Sequence, residues 1–142
     1  MSNPIAKNVI AVIVGVFLGS VVNLLLVNVG MAVIPLPEGV DLTTEEGFKE
    51  GIKQFKPINF LFPFLAHAIG TLVGAFLAAK LAVSHHMRFA IGIGAWFLLG
   101  GIMIIAMVGG PIWFTALDLL LAYFPMAMLG GRLAMGNKPA TA

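Results

Sequence analysis

The chain has 142 residues, of which 60% are apolar and 10% charged, and its mean hydropathy is +1.04. A soluble domain carries charge on roughly a quarter of its residues, so a water-soluble fold is excluded. A net charge of +2 could point to nucleic acid, but the basic residues lie scattered beside apolar runs rather than in one patch. With no cysteine, disulfides, thiolate nucleophiles, iron–sulfur ligation and dithiol redox chemistry are excluded too.

Asp, Glu, Lys, Arg and His punctuate the chain: residues 8–37, 89–117 and 119–131 hold none, and 57–79 hold only His67. About 20 residues cross ~30 Å of hydrocarbon, so these intervals predict four spans forming a single all-α transmembrane domain. The first helix is expected over about 8–30, ending before Pro35 and Pro37. Lys7 ahead of this apolar run raises the alternative of a cleaved signal peptide, but the run is too long and no small-x-small site closes it. The segment 31–57 should contain a short amphipathic helix over about 44–55, opened by Thr43 and Glu46 at capping-box spacing. Its apolar stripe is Phe48, Ile52 and Phe55, fit to lie on the membrane, to cap the bundle, or to serve as a lid or docking face.

The second helix is expected over about 60–82, with Pro63 in its first turn, and the third over about 88–108. Between them the SHHMR turn, with His85, His86 and Arg88, reads as a basic, headgroup-facing connection and a poor metal site. Gly109, Gly110 and Pro111 form a tight turn before a fourth helix over about 112–133, which Pro125 should kink. Lys7, Lys80, Arg88, Arg132 and Lys138 then share one side, while every Asp and Glu of segment 31–57 lies on the other. The positive-inside rule predicts both termini in the cytoplasm.

Helices in lipid associate through small residues and interhelical hydrogen bonds. Gly15 and Gly19 on the first helix and Gly70 and Gly74 on the second repeat every four residues, so these faces are expected to touch. Ala90 and Gly94, and Ala127 and Gly131, offer similar surfaces on the other two helices. Whether such surfaces pack within the chain, form a homo-oligomer or join a larger membrane complex is left open. LAAKLA (77–82) laid on LGGRLA (129–134) hints at two repeated hairpins about a twofold along the membrane normal, although any helix ending at a cytoplasmic face tends to read this way.

Ionisable side chains inside a membrane are costly and by default mark a functional site. Asp118 and His67 fall at similar depths on the fourth and second helices, and Asn23 falls at that level on the first. Thr71 shares a face with His67 and Thr115 with Asp118. The expected site is therefore a polar cluster of Asn23, His67, Thr71, Thr115 and Asp118 open to the outer side. Its alternative is a set of hydrogen bonds that only fixes helix register. The interfacial aromatics Phe60, Phe62, Phe64, Trp113 and Phe114 read as anchors, and the eight methionines as adaptable core rather than metal ligands.

The stretches FPFLAHAIGTLVGAFLAA and WFTALDLLLAYFPMAMLGG resemble the corresponding helices of small uncharacterised bacterial inner-membrane proteins with four spans. The resemblance implies the topology and a bacterial origin and carries no activity to transfer. The expectation is thus a multi-pass inner-membrane protein without cofactor or metal, more a binding or transport-type protein than an enzyme. The alternative is an accessory or scaffold subunit of a membrane complex. A lipid-directed enzyme ranks below both for want of a positioned nucleophile.

Overall fold

The computed structural model describes residues 3–136. Lys138, one of the basic residues assigned above to the cytoplasmic side, lies outside them. Six α-helices are present among the described residues: α1 Pro4–Val33, α2 Glu45–Ile52, α3 Leu61–Leu81, α4 His86–Val108, α5 Ile112–Leu121 and α6 Phe124–Met135. A 3₁₀ turn, Pro57–Phe60, leads directly into α3. No strand occurs among these residues. Four stretches are long and apolar enough to cross a membrane: Pro4–Val33, Pro57–Leu81, His86–Val108 and Ile112–Met135.

α1 starts earlier than expected because the Asn3 side chain accepts the Ile5 amide at 2.9 Å and Pro4 takes the first helical position. It ends at Val33, where Ile34 is held extended ahead of Pro35. The cap of α2 differs from the expected one. Thr44, not Thr43, accepts the Gly47 amide at 3.0 Å, so no Thr43–Glu46 capping box forms. Thr43 is diverted to Asp41, whose Oδ1 accepts the Thr43 amide at 2.8 Å and its hydroxyl at 2.6 Å in an Asx turn.

The expected fourth helix is two helices. Pro125 has no N–H for the Leu121 carbonyl and its ring crowds that turn, so the chain leaves helical geometry at Tyr123, with φ −112° and ψ −80°. It re-enters the helix with the Ala127 amide donating to the Tyr123 carbonyl at 2.8 Å.

α3 is the central element. It packs along α1 on one side and along α4 and α6 on the other, while α5 touches its neighbours sparingly. The α1–α3 contact rests on glycine. A Cβ at Gly15 would stand 2.6 Å from the Gly74 carbonyl oxygen, and one at Gly19 2.8 Å from that of Gly70, so the backbones meet where no side chain fits. On the opposite flank a Cβ at Gly94 would meet the Ala127 methyl at 2.7 Å, and one at Gly131 the Ala90 methyl at 2.8 Å. The buried core is accordingly small-residue packing, with Ala75, Ala78, Ala79 and Ala90 around Ile93.

Apolar bulk points outward instead: Ile13, Phe17 and Leu24 on α1 are 60%, 64% and 63% exposed. A surface of that kind suits hydrocarbon and not water.

At the end of the bundle away from α2, Asn8 ties the α3–α4 turn down. Its Oδ1 accepts the Val83 amide at 2.9 Å and its Nδ2 donates to the Ser84 hydroxyl at 3.1 Å. His86 Nδ1 donates to the Ala79 carbonyl at 2.8 Å, and His85 adopts a left-handed conformation at φ 51° to start α4.

Candidate functional site

α3 and α5 bring one ionisable group each to the same level, and these two groups meet. His67 Nδ1 lies 2.9 Å from Asp118 Oδ1 and 3.0 Å from Oδ2, so the imidazole N–H is shared by both carboxylate oxygens. Asp118 is fully buried, whereas the His67 side chain is 24% exposed. A third group completes the arrangement. The Tyr123 hydroxyl donates to Asp118 Oδ2 at 3.0 Å, and its ring stacks on the imidazole with centroids 5.8 Å apart and an interplanar angle of 29°.

The buried carboxyl accepts both hydrogen bonds, from the imidazole and from the phenol. It also fixes the imidazole: with the proton on Nδ1, Nε2 is left as the free ring nitrogen. Nε2 has no hydrogen-bond partner in the protein and is not among the buried unpaired atoms, so the accessible part of the ring carries it.

The remaining members of the expected cluster stay apart. Asn23 is half-buried at the α1–α3 crossing, its Cβ placed 3.1 Å from where a Gly70 Cβ would stand, and it makes no hydrogen bond to His67 or Asp118. Thr71 is buried with its hydroxyl unpartnered, and Thr115, near Gly110, lies outside the pair's hydrogen bonds. Tyr123 is the member that sequence reasoning missed. Five residues separate it from Asp118, which in a regular helix would turn it roughly 140° away. The usable signals were Pro125 and the presence of a single tyrosine in an apolar run, where a buried O–H must find a partner.

His67 and Asp118 form one end of a chamber of about 240 Å³ between α1, α3, α4 and α5. Its walls are apolar, among them Val27, Phe60, Phe62, Ile105 and Val108. The interior at this end is thus not polar throughout, as the expected cluster implied. Phe48 and Ile52 of α2 line the chamber as well, and so does Phe55, which lies beyond the helix because α2 ends at Ile52 and not near 55 as expected; α2 and the residues after it form the roof. The face of α2 away from the chamber carries the ion pairs Glu45–Lys49 at 2.8 Å and Glu50–Lys53 at 2.6 Å. Glu45 lifts the Lys49 ammonium above its ordinary pKa, and the Thr43 hydrogen bonds hold the Asp41 carboxyl below its own.

Gly101 marks how tightly the far wall is drawn: a Cβ there would collide with the Tyr123 hydroxyl. Among the described residues no three His, Asp or Glu side chains gather as a metal set. A single free imidazole nitrogen on a residue that lines an apolar chamber can make one hydrogen bond to a guest. Comparison with protein-family models, characterised proteins and solved structures gave no match to this chain.

Proposed function

We propose that the chain is a four-span inner-membrane protein, with both termini in the cytoplasm, that binds a small molecule in the chamber beneath α2. The observation that carries this reading is the imidazole of His67, held by a buried carboxyl, partly exposed, and on a residue that lines an apolar cavity. Such a group is expensive to keep in a membrane. A purely register-fixing pair would be closed by packing and would need neither a cavity nor a roof. The apolar outer surface and the basic residues Lys7, Lys80, Arg88 and Arg132 at one end support the insertion and its orientation. With a roof and one polar end, the chamber suits a binding or transport-type protein better than an enzyme.

Native mass spectrometry of the protein released from mild detergent tests the reading. The parent chain should carry a small-molecule adduct that Ile105→Trp, which fills the chamber without touching His67 or Asp118, removes. An adduct indifferent to Ile105→Trp would sink the proposal. A reporter fused after the C-terminus should read cytoplasmic, and one inserted at Gly39 external.

A second reading, an accessory subunit of a larger complex, draws on α4. Gly92 and Gly100 face open space two turns apart, with Trp96 between them 59% exposed. A second protein co-purifying at fixed stoichiometry would favour it, and its loss in Gly100→Leu would locate the contact.

A further inference from the structure

The lining of the chamber restricts what it can hold. It contains no lysine or arginine. If His67 were protonated, its charge would already be balanced by Asp118, so an anionic headgroup would enter without a partner and lose its hydration uncompensated. A cation would find one carboxyl in the lining, that of Asp118, and this already accepts from His67 and Tyr123. The guest is therefore uncharged.

Its polar part is equally restricted. The Asn59 side chain also lines the chamber, but its Oδ1 accepts the Lys56 amide at 2.9 Å and its Nδ2 donates to the Pro35 carbonyl at 3.3 Å, so both of its polar atoms already have backbone partners. Asp118 is committed to His67 and Tyr123. What remains is Nε2 of His67; with the other ring N–H turned to Asp118 it accepts in the neutral ring, and a hydroxyl is the uncharged group that supplies the donor.

Size and walls favour a ring. A cavity of ~150 Å³ with aliphatic and aromatic walls takes up benzene, so one of about 240 Å³ admits a single substituted ring of roughly a dozen heavy atoms. Phe48, Phe60 and Phe62 offer it aromatic faces and edges.

α2 roofs the chamber, but Met31 on α1 and Ile104 on α4, both of which line it, are 42% and 46% exposed. Both side chains are apolar, so the part of the lining that α1 and α4 leave exposed is hydrophobic.

We propose that the chamber takes an uncharged, hydroxyl-bearing single-ring headgroup, a phenol or hydroquinone, from within the bilayer. The ring enters between α1 and α4 and donates its hydroxyl to His67 Nε2, while any long tail stays outside in the lipid. This rests on the chamber being a binding site at all, and the test separates the two claims.

The protein is reconstituted in lipid nanodiscs as Trp96→Phe, which leaves Trp113 as sole reporter, its ring 5.4 Å from that of the wall residue Phe60. Para-butylphenol should change Trp113 emission saturably and bind about tenfold more tightly than butylbenzene, the effect of one hydrogen bond to the imidazole. His67→Ala combined with Asp118→Asn, which removes the acceptor without stranding a charge, should erase that difference and leave butylbenzene unchanged. Para-hexadecylphenol, confined to the bilayer and too long for the chamber, should compete with para-butylphenol.

If the anionic para-butylbenzoate binds as tightly as the phenol, the assigned ligand class is wrong and the binding site stands. If para-hexadecylphenol fails to compete, lateral entry is wrong. If no probe saturates and Ile105→Trp changes nothing, the site itself is withdrawn together with its ligand.

Discussion

Asp118 has both carboxylate oxygens engaged, by the His67 ring N–H and the Tyr123 hydroxyl, and it is fully buried. Its partners therefore differ in what their removal leaves behind. Tyr123→Phe takes away one donor and keeps the stacked ring, so the loss should be about 1–2 kcal/mol, read as a lowered Tm in detergent. His67→Ala strands a charge and should cost about 3–5 kcal/mol, most of it recovered when Asp118→Asn is added. Near-additive losses in that pair would mean that no charge is buried there. His67 and Asp118 were legible in the sequence because each is a lone ionisable group in an apolar run. Asn23 misled because its stripe, shared with Gly15 and Gly19, is the one α1 spends on backbone contact with α3. Thr115 misled because sharing a helix side with Asp118 does not bring its hydroxyl to the same partner.

Each helix end has a local cause, and most of the spans could be read from them: Asn3 and Pro4 before α1, Pro35 after it, and the left-handed Gly109 after α4. The break between α5 and α6 is the element the sequence showed only as a kink. There Pro125 removes one hydrogen bond, and the compensating turn carries Tyr123 around to Asp118. Pro125→Ala should let the two helices fuse and swing Tyr123 off the carboxylate. The ring resonances of the single tyrosine should then move and lose their dependence on Asp118→Asn. The α1–α3 contact gives the opposite kind of prediction, since backbone cannot yield to a new side chain. Gly70→Val places its Cβ 2.9 Å from the Gly19 carbonyl oxygen and should cost about 1–3 kcal/mol, whereas Gly92→Ala, facing open space inside a helix, should be neutral to slightly stabilising. Ahead of α2, the Asx turn at Asp41 needs an ionised carboxyl. Because its pKa is lowered on folding, the turn contributes at neutral pH and is lost as pH falls below the ordinary value of 3.8, which the exchange rate of the Thr43 amide would register.

At the scale of the molecule, the two ends of the bundle are built differently. Away from α2, small residues bring α1, α3, α4 and α6 into direct contact. At the α2 end, α5 stands off, tied by Asp118 to His67 and by Trp113 and Phe114 to Phe60, with ring centroids 5.4 and 4.6 Å apart. The glycine stripes that announce the first arrangement are visible in the sequence. The chamber of the second is not, because a cavity is defined by side chains that fail to meet, and no residue type records that. The amphipathic stripe of α2 announced an apolar face without saying what it covers; what it covers is the chamber, so α2 is held by burial alone and should open locally. The absence of cysteine makes this measurable with one introduced thiol. Ile105→Cys on the chamber wall should react slowly with a membrane-impermeant maleimide. Adding Phe48→Ser and Ile52→Ser, which removes two apolar contacts of the roof, should speed the reaction by at least about tenfold. An unchanged rate would mean that water reaches the chamber by a path α2 does not guard.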